Sequence, residues 1–406
     1  MSFFRSIAKR LAVTGMLGTA ACGAPVPAPA QVGPANTLMA NPRAVSNSAL
    51  VNVTKSSTGA ISYAVTSGQV GGAFLKRLAI HRVGLIRLVT NPIPLLSDDR
   101  GTRVASTAQI LKVVDTIRAA GLRVIVDLHT WPPGDPARQS AALVNDVSQR
   151  ERFSRALLEI APQLQVRPAG SIGLELLNEP ACKFMDGTQW PELQLQIYRA
   201  LRREAPTLPL ILKGCNDGIN DLMELDVAQY RNDPNVIFSF HFYEPFIFTH
   251  QATYYRGSAF RGVPFPATPQ KLAPKMITSL SKYFAMPAKQ IMPGSLTELE
   301  AYLRDNRSPE WYAQGISQVG VWADSEGIAR RRILVGEFGV TLKSSPDTQK
   351  ILPDVVRWLQ MVSHSSQREG FAYALWPPVR PGDAYIDTAT NFPRQDVMRA
   401  LGWRPR

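Results

Sequence analysis

Residues 171–180 read SIGLELLNEP, and the rest of the chain is interpreted outward from this stretch. Ile172 through Leu177 is apolar except for Glu175, as suits a parallel strand buried on both faces. Asn178, Glu179 and Pro180 follow directly, and Pro180, with no N–H to donate, marks the strand's exit. A carboxylate at such an exit stands where a parallel α/β barrel carries its reactive groups.

The stretch is the fourth of eight short apolar runs: AISYAVT (60–66), GLIRLVTNP (84–92), LRVIVDLHTWPP (122–133), SIGLELLNEP (171–180), LPLILKGCND (208–217), NVIFSFHFYEP (235–245), RILVGEFGV (332–340) and FAYALWPP (371–378). Between them lie amphipathic segments such as AQILKVVDTIRAAG (108–121) and LQLQIYRALRREA (193–205), whose apolar residues recur near the helical period. Gly121 and Gly370 stand just before strands, where a left-handed cap turns a helix into a sheet. Strand–helix alternation also fits an open doubly wound sheet. Polar residues ending at least six strands favour the closed form, an α/β class (β/α)8 TIM barrel. Residues 59–406 are assigned to that barrel, with a long insertion after the sixth strand, from Phe246 to about Arg307. Each of its aromatics, Phe246, Phe248, Tyr254, Tyr255, Phe260, Phe265, Tyr283 and Phe284, is as much a candidate for packing the loop onto the barrel as for ligand contact.

The seventh strand repeats the logic of the fourth: Ile333, Leu334, Val335 and Gly336 precede Glu337, and Phe338-Gly339 turns the chain. Two glutamates then face one cleft. Glycoside hydrolysis requires such a pair, one to protonate the leaving oxygen and one to attack or to activate water. Glu175, on the same strand face as Glu179 but deeper, reads as a buried structural carboxylate that needs a cationic or hydrogen-bonding partner. Other strand ends carry Arg87, His129, His241 with Tyr243, and Trp376. Any one of these is unremarkable by itself, but their joint occurrence at one rim is hard to attribute to packing. Trp131 and Trp190, each shortly after a catalytic strand, are candidates for neighbouring sugar subsites or for loop packing.

The set Arg87, His129, Asn178, Glu179, His241, Tyr243, Glu337 and Trp376, with the motif Asn178-Glu179-Pro180, resembles glycoside hydrolase family 5 over about residues 60–403. The resemblance implies a retaining β-glycosidase in which Glu179 is general acid and then base and Glu337 is the nucleophile. It implies that Arg87 and Tyr243 hydrogen-bond Glu337, keeping it ionised and aimed, while Glu179 holds its proton to higher pH. It places Asn178 at the sugar 2-hydroxyl, His129 and His241 around the same sugar, and Trp376 beneath its C–H face. The expected activity is that of an endo-β-1,4-glucanase. The alternatives are an exo-acting β-glucosidase or β-1,3-glucanase, a mannanase, an enzyme trimming exopolysaccharide, and a barrel that only binds envelope polysaccharide. The insertion is longer than in compact members of the family, and no separate carbohydrate-binding module is evident.

Composition sets the remaining expectations. Arg5, Lys9 and Arg10 precede an apolar run from Leu11 to Ala21, so residues 1–30 read as a secretory leader, too short in its apolar part to span a bilayer. Thr19-Ala20-Ala21-Cys22 resembles a lipoprotein box, giving a possible lipid anchor at Cys22, and Ala28-Pro29-Ala30 is the other candidate cleavage site. Residues 31–58, rich in Ala, Pro, Asn and Ser, read as a flexible tether. Export to the periplasm or beyond suits a Cys182–Cys215 disulfide, since both residues follow neighbouring strands on one rim. A net charge of +13 spread without basic runs interleaved with aromatics argues against nucleic acid and leaves an acidic polysaccharide as substrate hypothesis. No Cys/His cluster indicates a metal, and no cofactor is expected. Absence of a G-x-S-x-G elbow, of HExxH and of a glycine-rich nucleotide loop disfavours serine hydrolases, metallohydrolases and nucleotide enzymes. The protein is expected to act as a monomer.

Overall fold

Eight parallel strands, β1 (Arg43–Ser46), β2 (Leu85–Thr90), β3 (Arg123–Leu128), β4 (Ile172–Glu175), β5 (Leu210–Lys213), β6 (Val236–Phe242), β7 (Ile333–Phe338) and β8 (Ala372–Leu375), hydrogen-bond in sequence order. The barrel closes because β1 pairs with both β8 and β2, Val45 lying opposite Leu375 on one side and Ile86 on the other. The computed structural model describes residues 43–46, 54–55, 61–62, 72–129, 136–185, 189–251, 260–267, 295–340, 346–376, 385–387, 389–390 and 392–403. The expected leader, Cys22 and Trp131 lie outside them.

One element differs from expectation. The first barrel strand is Arg43–Ser46, inside the segment 31–58 read as tether, and not AISYAVT. Ile61–Ser62 of the latter instead pairs antiparallel with Thr54–Lys55. Two apolar residues, Ala44 and Val45, are too few to register as a strand by pattern, so neighbours on both sides decide the assignment.

The helices are α1 (Gly72–Ile80), α2 (Arg100–Ala119), α3 (Pro136–Asn145), α4 (Val147–Gln165), α5 (Gln189–Glu204), α6 (Ile219–Met223), α7 (Phe246–Thr249), α8 (Ser295–Asp305), α9 (Pro309–Ser325), α10 (Pro346–Glu369) and α11 (Gln395–Ala400). Local chemistry starts several of them: Asp99 accepts from Thr102 N at 2.7 Å and Asp146 from Gln149 N at 3.0 Å, each meeting an otherwise orphaned N–H. Gly121 and Gly370 do take positive φ, 81° and 76°, between helix and strand.

From β2 to β8 side chains alternate between two faces, with one break in β7. One set, including Leu88, Val126, Leu174, Leu212, Phe238 and Val335, packs outward against helices. The other fills the barrel floor with Leu85, Ile125, Ile211, Ile237, Leu334, Ala372 and Ala374. Among the described residues the insertion carries α7 and α8, and α9 follows it before β7. It is tied down where Asp354 and Arg357 of α10 bind the backbone N and O of Phe265, at 3.1 and 2.7 Å.

Candidate active site

Two residues further along the inward faces, the apolar floor gives way to charge. Arg87 (β2), Asp127 (β3), Glu175 (β4) and Lys213 (β5) have side chains 1 % exposed or less. Arg87 grips both oxygens of Glu175, Nε at 2.6 Å and Nη2 at 2.5 Å, and Nη2 also lies 3.0 Å from Asp127. Lys213 Nζ is 2.6 Å from Glu175. Burial alone would raise the Glu175 carboxyl, but Arg87 and Lys213 override it and hold the group at about 2. Glu175 is therefore the structural carboxylate foreseen, with cationic partners on two strands.

Glu337 remains within β7 and reaches the cleft through a bulge. Phe240 pairs with Val335 but His241 pairs with Glu337, so Gly336 is an extra residue on β7. Strict alternation from inward Leu334 would have turned Glu337 outward. Gly336 allows the bulge because a Cβ there would lie 2.4 Å from Ser239 Oγ. Glu337 Oε1 accepts from Arg87 Nη1 at 2.5 Å and Oε2 from the Tyr243 hydroxyl at 2.8 Å. These are the two partners expected from the sequence.

Glu179 lies beyond β4 and is held by its surroundings. It takes a left-handed φ of 41°. Its N–H donates to Asp217 Oδ2 at 3.0 Å, and its carbonyl accepts from Ser140 Oγ of α3 at 3.2 Å. The loops after β4 and β5 are joined by Asn216 N donating to Pro180 O at 2.9 Å and by the Cys182–Cys215 disulfide, S–S 2.05 Å. Glu179 Oε1 lies 2.9 Å from His241 Nδ1. Burial in the cleft, then Glu337 and Asp217, push the Glu179 carboxyl up to about 8. Since 49 % of its side-chain surface stays accessible, solvent moderates the burial part, and the neighbouring carboxylates sustain the upward direction.

Asn178 Oδ1 accepts from Arg87 Nη2 at 2.9 Å, and its Nδ2 lies 3.4 Å from His129 Nε2. His129 Nδ1 pairs with Asp127 at 2.9 Å, and its ring stacks on Trp376 with centroids 5.4 Å apart. Burial, reinforced by Lys213, Arg87 and His129, holds His241 well below the usual histidine range. Arg87, His129, Asn178, Glu179, His241, Tyr243, Glu337 and Trp376 are thus joined at the C-terminal rim by these contacts.

Trp190 is a correction. At 1 % exposure it is part of the hydrophobic core on the first turn of α5, because its position turns the indole toward the barrel wall and away from the rim. Phe248, Phe260 and Phe265 of the insertion are likewise fully buried, while Tyr254, Tyr255, Tyr283 and Phe284 lie outside the described residues. Sequence reasoning missed Asp127, Lys213 and Asp217. The available signal was spacing: Asp127 is two residues before His129 on one face, and Lys213 is two beyond the inward Ile211.

One donor atom each from Glu179, His241 and Glu337 lie within 4.8 Å of one another. Such a trio could hold a cation, yet Glu337 already faces the Arg87 guanidinium at 2.5 Å, which opposes a second positive charge. What the arrangement offers chemically is two close carboxyls, one anchored by a guanidinium and a phenol, the other carrying a proton to unusually high pH. One oxygen of each carboxyl lies within 4.8 Å of one of the other, so the two groups share one cleft, as the carboxyl pair of a glycosidase must.

The family model described as Cellulase (glycosyl hydrolase family 5) matches residues 51–377. Endoglucanase C of Acetivibrio thermocellus is 31 % identical over 144 residues, 34 % of this chain and 39 % of that protein. Cellodextrinase A of Ruminococcus flavefaciens is 30 % identical over 148 residues, 35 % of this chain and 42 % of that protein, so the aligned part spans less than half of each relative. In fold, an endoglucanase from the hyperthermophile Thermotoga maritima superposes with a TM-score of 0.63 at 18 % identity, covering 91 % of this chain and all of the other.

Proposed function

The chain belongs to glycosyl hydrolase family 5, and from that membership we propose that it is a retaining hydrolase of β-linked polysaccharide with endo-β-1,4-glucanase-like action. The observation that carries the proposal is the contrast between two carboxyls that bring one oxygen each within 4.8 Å: Glu337, bound by Arg87 and Tyr243, and Glu179, pushed up to about 8. Relatives named endoglucanase and cellodextrinase support the substrate class. A barrel that only bound polysaccharide would gain nothing from a charged pair of this kind.

In the first step a Glu337 oxygen attacks the anomeric carbon while Glu179 gives its proton to the departing glycosidic oxygen, leaving a glycosyl ester on Glu337. In the second, Glu179, now a carboxylate, takes a proton from water as that water displaces Glu337, and the starting anomeric configuration returns. Asn178 meets the 2-hydroxyl of the sugar, His129 and His241 flank it, and Trp376 lies under its C–H face.

A panel of β-linked polysaccharides with product sizing and NMR of the first-formed anomer tests this. Internal cleavage of β-1,4-glucan with a β-anomer first is expected. A first-formed α-anomer would overturn retention, and no cleavage of any member would overturn the activity.

We also propose export as a monomer, supported by the basic-then-apolar order of Arg5, Lys9, Arg10 and Leu11–Ala21 and by the disulfide. Mass spectrometry and native sizing of protein from fractionated cells tests it. An uncleaved chain confined to the cytoplasm would contradict export, and an acyl mass on Cys22 would establish the anchor. The +13 charge supports an acidic glucan as substrate, expected to be hydrolysed more slowly as salt rises, unlike a neutral glucan.

A further inference from the structure

The mechanism leaves a buried cation at the site, Lys213, unused. Lys213 ends β5 with a side chain 1 % exposed, 2.6 Å from Glu175, ion-paired with Asp217, and 3.1 Å from His241 Nε2. Its backbone is fixed as well, since Gln194 of α5 bonds both its N–H and its carbonyl at 3.0 Å. An ammonium has three protons and no lone pair, so between two carboxylates and an imidazole nitrogen it can only donate.

We propose that Lys213 is a positioning residue for the hydrolysis: by donating to His241 Nε2 it holds the imidazole as the Nδ1–H tautomer, which confines the transferable proton of Glu179 to Oε2. The proposal rests on the reading of Glu179 as acid and base. Nδ1 is 2.9 Å from Glu179 Oε1, and with Nδ1 protonated that oxygen faces a donor and must accept. A protonated Glu179 then carries its hydrogen on Oε2, so the departing glycosidic oxygen approaches Oε2, and in the second step water returns a proton to the same atom. His241 neither gains nor loses a proton over the cycle.

The other tautomer would point an Nε2–H at Asp217 Oδ2, 3.4 Å away, but would also set it against the ammonium at 3.1 Å. The groups facing His241 are Lys213 and Asp217 from β5 and its following turn, Glu179 from the end of β4 and Glu337 Oε2 from β7, 3.6 Å from Nδ1. Tyr243 follows on the end of its own strand, Arg87 acts from β2, and His129 stands just beyond β3. Burial, Lys213 and Arg87 keep the ring neutral, which is the state in which a tautomer is defined. Without Lys213, Nε2 is free to carry the proton toward Asp217, and Nδ1 becomes an acceptor that draws the acid's proton away from the substrate.

The direct test is long-range ¹H–¹⁵N NMR of histidine-labelled wild-type protein at neutral pH, with His241 assigned by difference from His241→Asn. A pyrrole-type Nδ1 and a pyridine-type Nε2 are expected. The reverse pattern, or an imidazolium, overturns the proposal. Lys213→Met supplies the kinetic arm: kcat/KM on aryl β-glycosides with poor leaving groups should fall about 10- to 100-fold, less than the roughly 10²- to 10⁴-fold of complete loss of general-acid assistance because the acid itself remains. Dinitrophenyl glycosides, whose departure needs no proton, should be nearly unaffected. Equal loss across leaving groups would mean a merely structural lysine and overturn the kinetic role. Should this variant fail to fold, the wild-type spectrum still decides. The NMR arm reads the tautomer whether or not a glycoside is cleaved, so failure of the tautomer and failure of the hydrolase reading are separate results.

Discussion

At the end of β7, Glu337 is aimed from within the sheet: a bulge at Gly336 turns it inward, and Arg87 and Tyr243 receive its oxygens. At the end of β4, Glu179 has left the sheet and is aimed from without, its backbone held by Asp217 and Ser140 and its loop joined to the next by Cys182–Cys215. The difference follows from the two tasks. A nucleophile must meet one carbon along one line, which favours a residue in a sheet with both oxygens restrained. A proton donor needs a neighbourhood that changes its proton affinity, and nearby carboxylates and burial supply that.

The sharpest break of this comparison is Glu337→Ala, for which loss of turnover on every glycoside should be on the order of a millionfold, the scale seen when a nucleophile is removed. Substantial residual hydrolysis would mean that another group attacks. Glu179→Ala should cost about 10²- to 10⁴-fold on polymer, while stopped-flow with a dinitrophenyl glycoside should still show a burst from the glycosyl-enzyme. Equal damage on both substrates would erase the distinction between the two sites.

The clamp around Glu179 is tested by replacing both cysteines with serine. With the two cysteines 33 positions apart in sequence, loop closure predicts a loss of about 3–4 kcal/mol in denaturant titration. Little change would mean that the backbone bonds suffice to hold the loop. The bulge under Glu337 is tested by Gly336→Ala, whose Cβ would stand 2.4 Å from Ser239 Oγ and 3.3 Å from His241 Cδ2. Overpacking of this kind costs about 1–3 kcal/mol, and kcat should fall together with Tm as the bulge that aims Glu337 shifts; a fall in Tm alone would mean that Ser239 Oγ gives way instead.

The gentlest probe is pH. Glu179 works as an acid only while protonated, and a raised carboxyl keeps that form up to its own pKa and loses it above. With the group at about 8, kcat/KM should stay level through neutral pH and then fall roughly tenfold per unit. A fall beginning in the ordinary carboxylate range would show that the neighbours do not lift Glu179 in solution.

Much of the site could be read without coordinates. From β2 to β8 each strand is a local apolar run, and a polar residue where the run stops is visible in one dimension, so Arg87, His129, Asn178, Glu179, His241, Tyr243, Glu337 and Trp376 are all legible there. Trp190 was ambiguous for the opposite reason: proximity to a catalytic strand in sequence does not say which way a helix turns an indole. The lysine beneath Glu179 gave little sign of itself, because a charge inside an apolar run reads as an interruption until its partners on other strands are known.

Local patterning, then, determined that this chain makes a parallel α/β barrel with two glutamates at its rim, because hydrophobic period and strand exits are short-range properties. Three features required the closed tertiary structure: the place of Arg43–Ser46 as first strand, the bulge that turns Glu337 inward, and the Glu175–Lys213–Asp217 charges on which His241 and Glu179 rest. Each is set by groups from separate strands meeting in a space that water has left, where pairing across the barrel outweighs the preference of any single segment.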